Sequence, residues 1–375
     1  MPGSGSVSDC RTDQKLRRVC GKSWSTITFM EISQELFAQE RRPRFGKTNP
    51  ERMQMTFWEW MIRGDDPVAE QEGVLTEAGR LKRNSNLKSG YGPYRARDLF
   101  KVHFNREDGP IWTFDRMGAT RSELPDGRIL CIGGEHEDSY DPDFCIYNDV
   151  VVFGPADQIE IYGYPQEVFP PSDFHTATLV GDRIIIIGCL GYQNARRPGH
   201  TPVYSLDLSH YHISEIQTTG ENPGWIFKQE AELDPTGKIN IRGGEVIRSR
   251  DGRQQYRRNF NEYALDLNTW TWLRNTNRNW RQFSISREDK GIFVLDQRPE
   301  PQALLPRTVE HIVVPCKEWN DARIVVDGIP VSITVGVSFI DVIVEGDLPS
   351  EKSNQLAEEV RTNAEAMVGH RCVME

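Results

Sequence analysis

Three short stretches decide the reading: RILCIGG at 128–134, RIIIIGC at 183–189 and KINIRGG at 238–244. Each is a run of strand-forming residues closed by glycine, and Gly133, Gly188 and Gly243 stand 55 residues apart twice over, from 133 to 188 and from 188 to 243. A tight turn precedes each run, at Pro125-Asp126-Gly127, Gly181-Asp182 and Pro235-Thr236-Gly237. A second register repeats with the first. VVVF at 150–153, YSLD at 204–207 and YALD at 263–266 follow the glycine marks, and Ile161, Ile213 and Trp272 follow those in turn. Two features recurring in step predict a repeated supersecondary unit over residues 110–275.

A hydrophobic strand ending in a double glycine, a variable loop, an aromatic strand carrying Leu-Asp and then a Trp position together resemble the kelch repeat. Phe174-His175 resembles the His-bearing first strand of such a unit. The resemblance implies that each unit of roughly 50 residues folds as a four-stranded β-propeller blade. Glycine suits the end of the inner strand, where backbones crowd and a positive φ is required. Cys189 replaces the second glycine of the middle unit, and the first unit lacks the Tyr and Trp. Propellers have roughly four to eight blades. Three units therefore imply either an open arc or further strands from flanking sequence, with residues 288–295 as a degenerate fourth unit.

The fold class expected is mainly β: a kelch-like β-propeller or partial propeller, with an N-terminal helical segment and a C-terminal β-hairpin plus helix. Residues 1–22 read as a polar tail, 23–100 as the helical segment, 101–300 as the blades, and 301–375 as strands plus a terminal helix that finish the propeller or form an appendage. Phe57, Trp58, Trp60, Met61 and Ile62 crowd one predicted helix, which either packs on the repeats or forms a groove for a partner. Asp327-Gly328 predicts a hairpin turn, and 351–368 an acidic helix.

The chain carries 55 acidic against 45 basic residues, a formal net charge of -10, which argues against an extended nucleic-acid surface. No apolar run reaches the length of a membrane span or a signal peptide. Its seven cysteines follow no zinc-ligand spacing, so a cytoplasmic setting is expected.

If the units are blades, the loops after the glycine marks share one face. The first holds five carboxylates, Glu135, Glu137, Asp138, Asp141 and Asp143, together with His136; the second holds Tyr192, Arg196 and Arg197; the third holds Arg248, Arg250 and Arg253. Guanidinium groups pair bidentately with carboxylates, so these loops either bind a partner or neutralise one another. The function expected is a non-enzymatic protein-interaction module, with His136, Asp141, Asp143, Tyr192, Arg196, Arg197, Arg248, Arg250 and Arg253 as its binding residues. The alternative is a small-molecule lyase, isomerase or hydrolase working through Glu135, Glu137 and Asp138 with the loop arginines. No cofactor is expected. The one weak metal candidate is Ca2+ at Asp138, Asp141 and Asp143, whose spacing does not match an EF-hand loop. His175 is read as a buried structural histidine, and His210 and His212 as exposed neighbours on one face of an outer strand. Some kelch proteins are enzymes, but none of their active residues maps onto a position here.

Overall fold

Branched apolar runs alternating with turn residues produce three sheets of one design. The computed structural model describes residues 32–63, 108–136, 142–155, 158–250, 252–293, 300–316 and 319–375. A helix α1 (Gln34–Glu40), a short strand β1 (Glu51–Arg52) and a helix α2 (Thr56–Arg63) come first. The first unit contains β2 (Thr120–Glu123), β3 (Ile129–Ile132), a small hairpin of β4 (Glu135–His136) and β5 (Cys145–Ile146), then β6 (Val150–Phe153) and β7 (Ile159–Gly163). The second is β8 (Thr176–Val180), β9 (Arg183–Ile187), β10 (Val203–Asp207) and β11 (Ile213–Glu215). Strands β12 (Thr219–Gly220) and β13 (Trp225–Phe227) lead to the third: β14 (Glu230–Leu233), β15 (Lys238–Arg242), a long hairpin of β16 (Glu245–Arg250) and β17 (Arg253–Arg258), β18 (Tyr263–Asp266) and β19 (Thr271–Arg274). The chain ends in β20 (Arg281–Arg287), β21 (Ile312–Val314), β22 (Asp321–Val326), β23 (Ile329–Val335), β24 (Ile340–Val344), helix α3 (Ser350–Val368) and β25 (Cys372–Met374). The described residues are thus mainly β with three helices, and no sheet closes into a barrel.

Each unit is an antiparallel meander, β2-β3-β6-β7, β8-β9-β10-β11 and β14-β15-β18-β19, with β1 added outside β7 and β12 outside β19. The two sequence registers have physical causes. Asp207 and Asp266 end their strands because Oδ1 accepts the backbone N–H of Ser209 at 2.9 Å and of Asn268 at 2.9 Å, forming Asx turns. Ile161, Ile213 and Trp272, on the fourth strands, are all but fully buried.

Successive side chains of a strand point to opposite faces, so each second strand divides its residues between neighbours. Leu130 and Ile132 pack against Ile184 and Ile186 of the second unit. Ile185 and Ile187 pack against Ile239 and Ile241 of the third. Edge strand β8 touches both β2 and β14. Polar bonds repeat in the same relation: His175 bonds Thr120 Oγ1 across the first junction at 2.9 Å, and Gln229 donates to Ile187 O across the second at 2.6 Å. Burial pushes the pKa of His175 down to about 4, so it is neutral in the folded protein.

Unfolded histidine titrates near 6.5, so on acidification the unfolded chain takes the proton first. The expected result is a loss of stability of about 3 kcal/mol between pH about 6.5 and about 4. His175→Gln, copying Gln229, should remove that loss in urea melts run across this range; an unaltered pH profile would disprove the assignment.

Helix α2 resolves the first alternative toward packing. Phe57, Trp58, Met61 and Ile62 are buried against Ile111, Trp112, Val151 and Ile161 of the first unit, and Trp58 stacks on Trp112 at 4.7 Å. Residues 23–31 and 64–100 of the 23–100 segment, and the 1–22 tail, lie outside the described residues.

The C-terminal part is larger than a hairpin plus helix. Its six strands run in the order β21-β22-β23-β24-β20-β25, and one face is covered by Leu356, Val360 and Ala364 of α3. Strand β20 pairs with β24 and β25, so residues 281–287 join this sheet rather than the segment ending at 300. The turn at Asp327-Gly328 is present, with both residues at positive φ, between the paired strands β22 and β23. No strand forms over residues 288–293, and the remainder of the expected fourth unit lies outside the described residues. His210 and His212 precede the outer strand instead of lying in it, because the Asp207 turn also takes the His210 N–H and β11 starts only at Ile213.

Candidate functional site

The loops after the three glycine marks do meet, through neutral contacts more than through charge. Tyr192 Oη accepts the Ile146 N–H at 2.9 Å and its ring meets Phe144 edge-on at 5.8 Å, joining the second loop to the first. Arg196 donates to Leu190 O at 3.0 Å, Gly191 O at 3.0 Å, Gln254 Oε1 at 3.1 Å and Tyr256 Oη at 2.7 Å, joining the second loop to the β16–β17 hairpin. Gln254 Nε2 returns a bond to Gln193 O at 3.0 Å.

Three residues expected at the loop surface are therefore interior. Arg196 is spent on backbone carbonyls and hairpin side chains, and is 8% exposed. His136 lies in β4, where burial holds its pKa below the usual histidine value. Asp143 is 1% exposed, and neither of its carboxylate oxygens makes a hydrogen bond among the described residues. Arg197 remains exposed and faces Glu215 at 3.5 Å, and Arg248 is exposed on β16. Glu137, Asp138 and Asp141 lie outside the described residues, as do the side chains of Arg250 and Arg253. Two of the three calcium candidates are among them, and no group of three His, Cys, Asp or Glu able to hold a metal comes together among the described residues. Glu135 faces Asp173, a buried residue absent from the expected set. Burial holds the Asp173 carboxyl above the usual carboxylate range, against the downward pull of the Gly191 N–H bonded to it at 2.6 Å.

A second feature was not expected. Where the first two units place Leu130, Ile132, Ile185 and Ile187 toward the next unit, the third places Asn240 and Arg242. Its end face is polar, and no further four-stranded meander packs on it among the described residues. A cleft of about 400 Å³ opens there instead, facing the uncovered side of the C-terminal sheet. The unit wall carries Lys228, Arg242, Arg258 and Glu262, and the sheet wall carries Asp321, Arg323, Thr334 and Glu345. Phe260 and Trp280, 5.4 Å apart, form an aromatic shelf, with the Arg278 guanidinium 5.1 Å from the Trp280 ring. Arg242 pairs with Glu230 at 2.8 Å and Arg278 with Glu262 at 2.6 Å. The alternation Ile239-Asn240-Ile241-Arg242, set against the unbroken Ile184–Ile187, was the signal in the sequence.

No family model matches the chain, and no curated protein matches its sequence. Solved structures that resemble it include one of YjhT, 10% identical with a TM-score of 0.30, the match covering 69% of this chain and 79% of that one. A GH32 β-fructofuranosidase of Bombyx mori, BmSUC1, is 11% identical with a TM-score of 0.29, over 63% of this chain and 49% of that one. The chain thus spans about half the length of the fructofuranosidase. Both scores are too low to bear on the site. No described helix is long and apolar enough to cross a membrane.

Proposed function

We propose that the three units are kelch-type blades forming an open β-propeller arc, and that the protein is a non-enzymatic interaction module that binds a partner protein through the joined loops. The reading is carried by the way Tyr192 and Arg196 tie three loops into one preorganised platform. A surface ordered before binding loses less entropy when it binds. Tyr256, 41% exposed, Arg197 and Arg248 remain at its surface, and Tyr and Arg are the side chains that most often anchor protein interfaces.

The alternative, a small-molecule enzyme at Glu135, draws on the raised acid Asp173 beside it. It is the weaker reading, because Arg196, the group expected to hold an anionic substrate, is consumed by the loop framework.

Affinity capture from the native cell with mass spectrometry tests the interaction reading. The double variant Arg197→Glu, Arg248→Glu should lose at least tenfold of a partner that the parent protein recovers. Undiminished recovery by this variant, with its melting curve intact, sinks the proposal.

A further inference from the structure

The repeat carries its own template for a ligand in the cleft. In the first two units a peptide oxygen from the next unit sits at the glycine mark: Ser172 O accepts the Gly134 N–H at 2.8 Å, and Ile226 O accepts the Cys189 N–H at 2.9 Å. A Cβ on Gly133 or Gly188 would meet these same oxygens at 2.1 and 2.3 Å. The third unit keeps the left-handed φ at its glycine mark and lacks the oxygen. Gly243 and Gly244 have φ of 65° and 76°, a Cβ on Gly243 would meet nothing within 4 Å, and the Gly244 N–H makes no hydrogen bond among the described residues. Both glycines line the cleft.

Charge is divided between the two walls. The unit side presents Lys228, Arg242, Arg258 and Arg278 against Glu230 and Glu262; the sheet side presents Asp321 and Glu345 against Arg323. Lys228 pairs with Glu245 at 3.6 Å, so after this pair and the Arg242–Glu230 and Arg278–Glu262 pairs the unit side keeps the positive charge of Arg258. Arg258, Asp321, Arg323 and Glu345 have no ion-pair partner among the described residues. An extended strand shows alternate side chains to opposite sides, so a single peptide can meet two walls of opposite sign.

We infer that the cleft receives an extended peptide segment of a partner protein. One backbone carbonyl of that segment takes the Gly244 N–H, as Ser172 and Ile226 do in the earlier units. Its acidic side chains face Arg258 and its basic side chains face Asp321 and Glu345. The inference rests on the partner-protein reading and names a second contact, separate from the loop platform.

The test is calorimetric titration of the full chain with the octapeptide acetyl-(Glu-Lys)4-amide, alongside octaglutamate and octalysine. The alternating peptide should bind at least tenfold more tightly than either homopolymer. Arg258→Glu should weaken it at least tenfold, and the loop variant Arg197→Glu, Arg248→Glu should leave it unchanged. No heat of binding from the alternating peptide, or binding that Arg258→Glu leaves intact in a variant that melts like the parent, overturns the cleft assignment. Loss of partner capture by the loop variant would still stand in that event, so the two failures are distinguishable.

Discussion

Gly133→Ala and Gly188→Ala are each expected to cost about 3 kcal/mol or more of folding stability, and Gly243→Ala only about 1 kcal/mol. All three glycines adopt similar left-handed backbone, with φ of 59°, 72° and 65°, so the conformational strain on an L-residue is common to the series. They differ in what stands opposite. A new methyl group at 133 or 188 drives into a carbonyl oxygen that is also a hydrogen-bond acceptor between units, whereas at 243 it enters open space. Urea denaturation of the three variants isolates the inter-unit contact from the strain. Equal losses at all three positions would show that the glycines serve backbone conformation alone.

Asp149→Ala is expected to destabilise the protein by about 3–5 kcal/mol. Asp149 and Arg116 form an ion pair with side chains only 6% and 3% exposed. The carboxylate also takes the Trp112 Nε1–H at 2.9 Å, and the guanidinium donates to Thr113 O at 2.8 Å and Gly133 O at 3.1 Å while lying 3.5 Å over the Tyr147 ring. Removing the carboxylate leaves a nearly buried cation without its counter-charge. The double variant Arg116→Met, Asp149→Leu should recover much of the loss, because apolar replacements of similar volume remove the desolvation penalty along with the attraction. A double-mutant cycle measures this. A coupling near zero would mean that the pair merely coexists in the core.

Much of the repeat was legible before folding because its signals are local. A glycine at positive φ, an aspartate closing a strand on its own Asx turn, and a buried residue on each fourth strand act over a few positions and recur in the chain. The loops were harder to read. Arg196 and Arg197 are adjacent and chemically identical, yet one is an internal tie and the other an exposed charge. Only the approach of Gln254 and Tyr256, about 60 residues away along the chain, separates their roles. Likewise Glu135 read as a surface carboxylate until Asp173 was placed beside it. The C-terminal sheet was underestimated because β20 joins partners more than 50 residues downstream, and no local pattern announces that pairing.

The sequence by itself determined the repeated unit, its 55-residue step and the turns that delimit its strands, since each depends on backbone preference and short-range hydrogen bonds. Tertiary structure alone decided which charges are buried, where the stack of units stops and what faces its last wall. Those outcomes depend on side chains brought together from distant parts of the chain. Even the polar alternation at Asn240 and Arg242 has its meaning as an end face only because, among the described residues, the C-terminal sheet across a cleft stands where a further unit would pack.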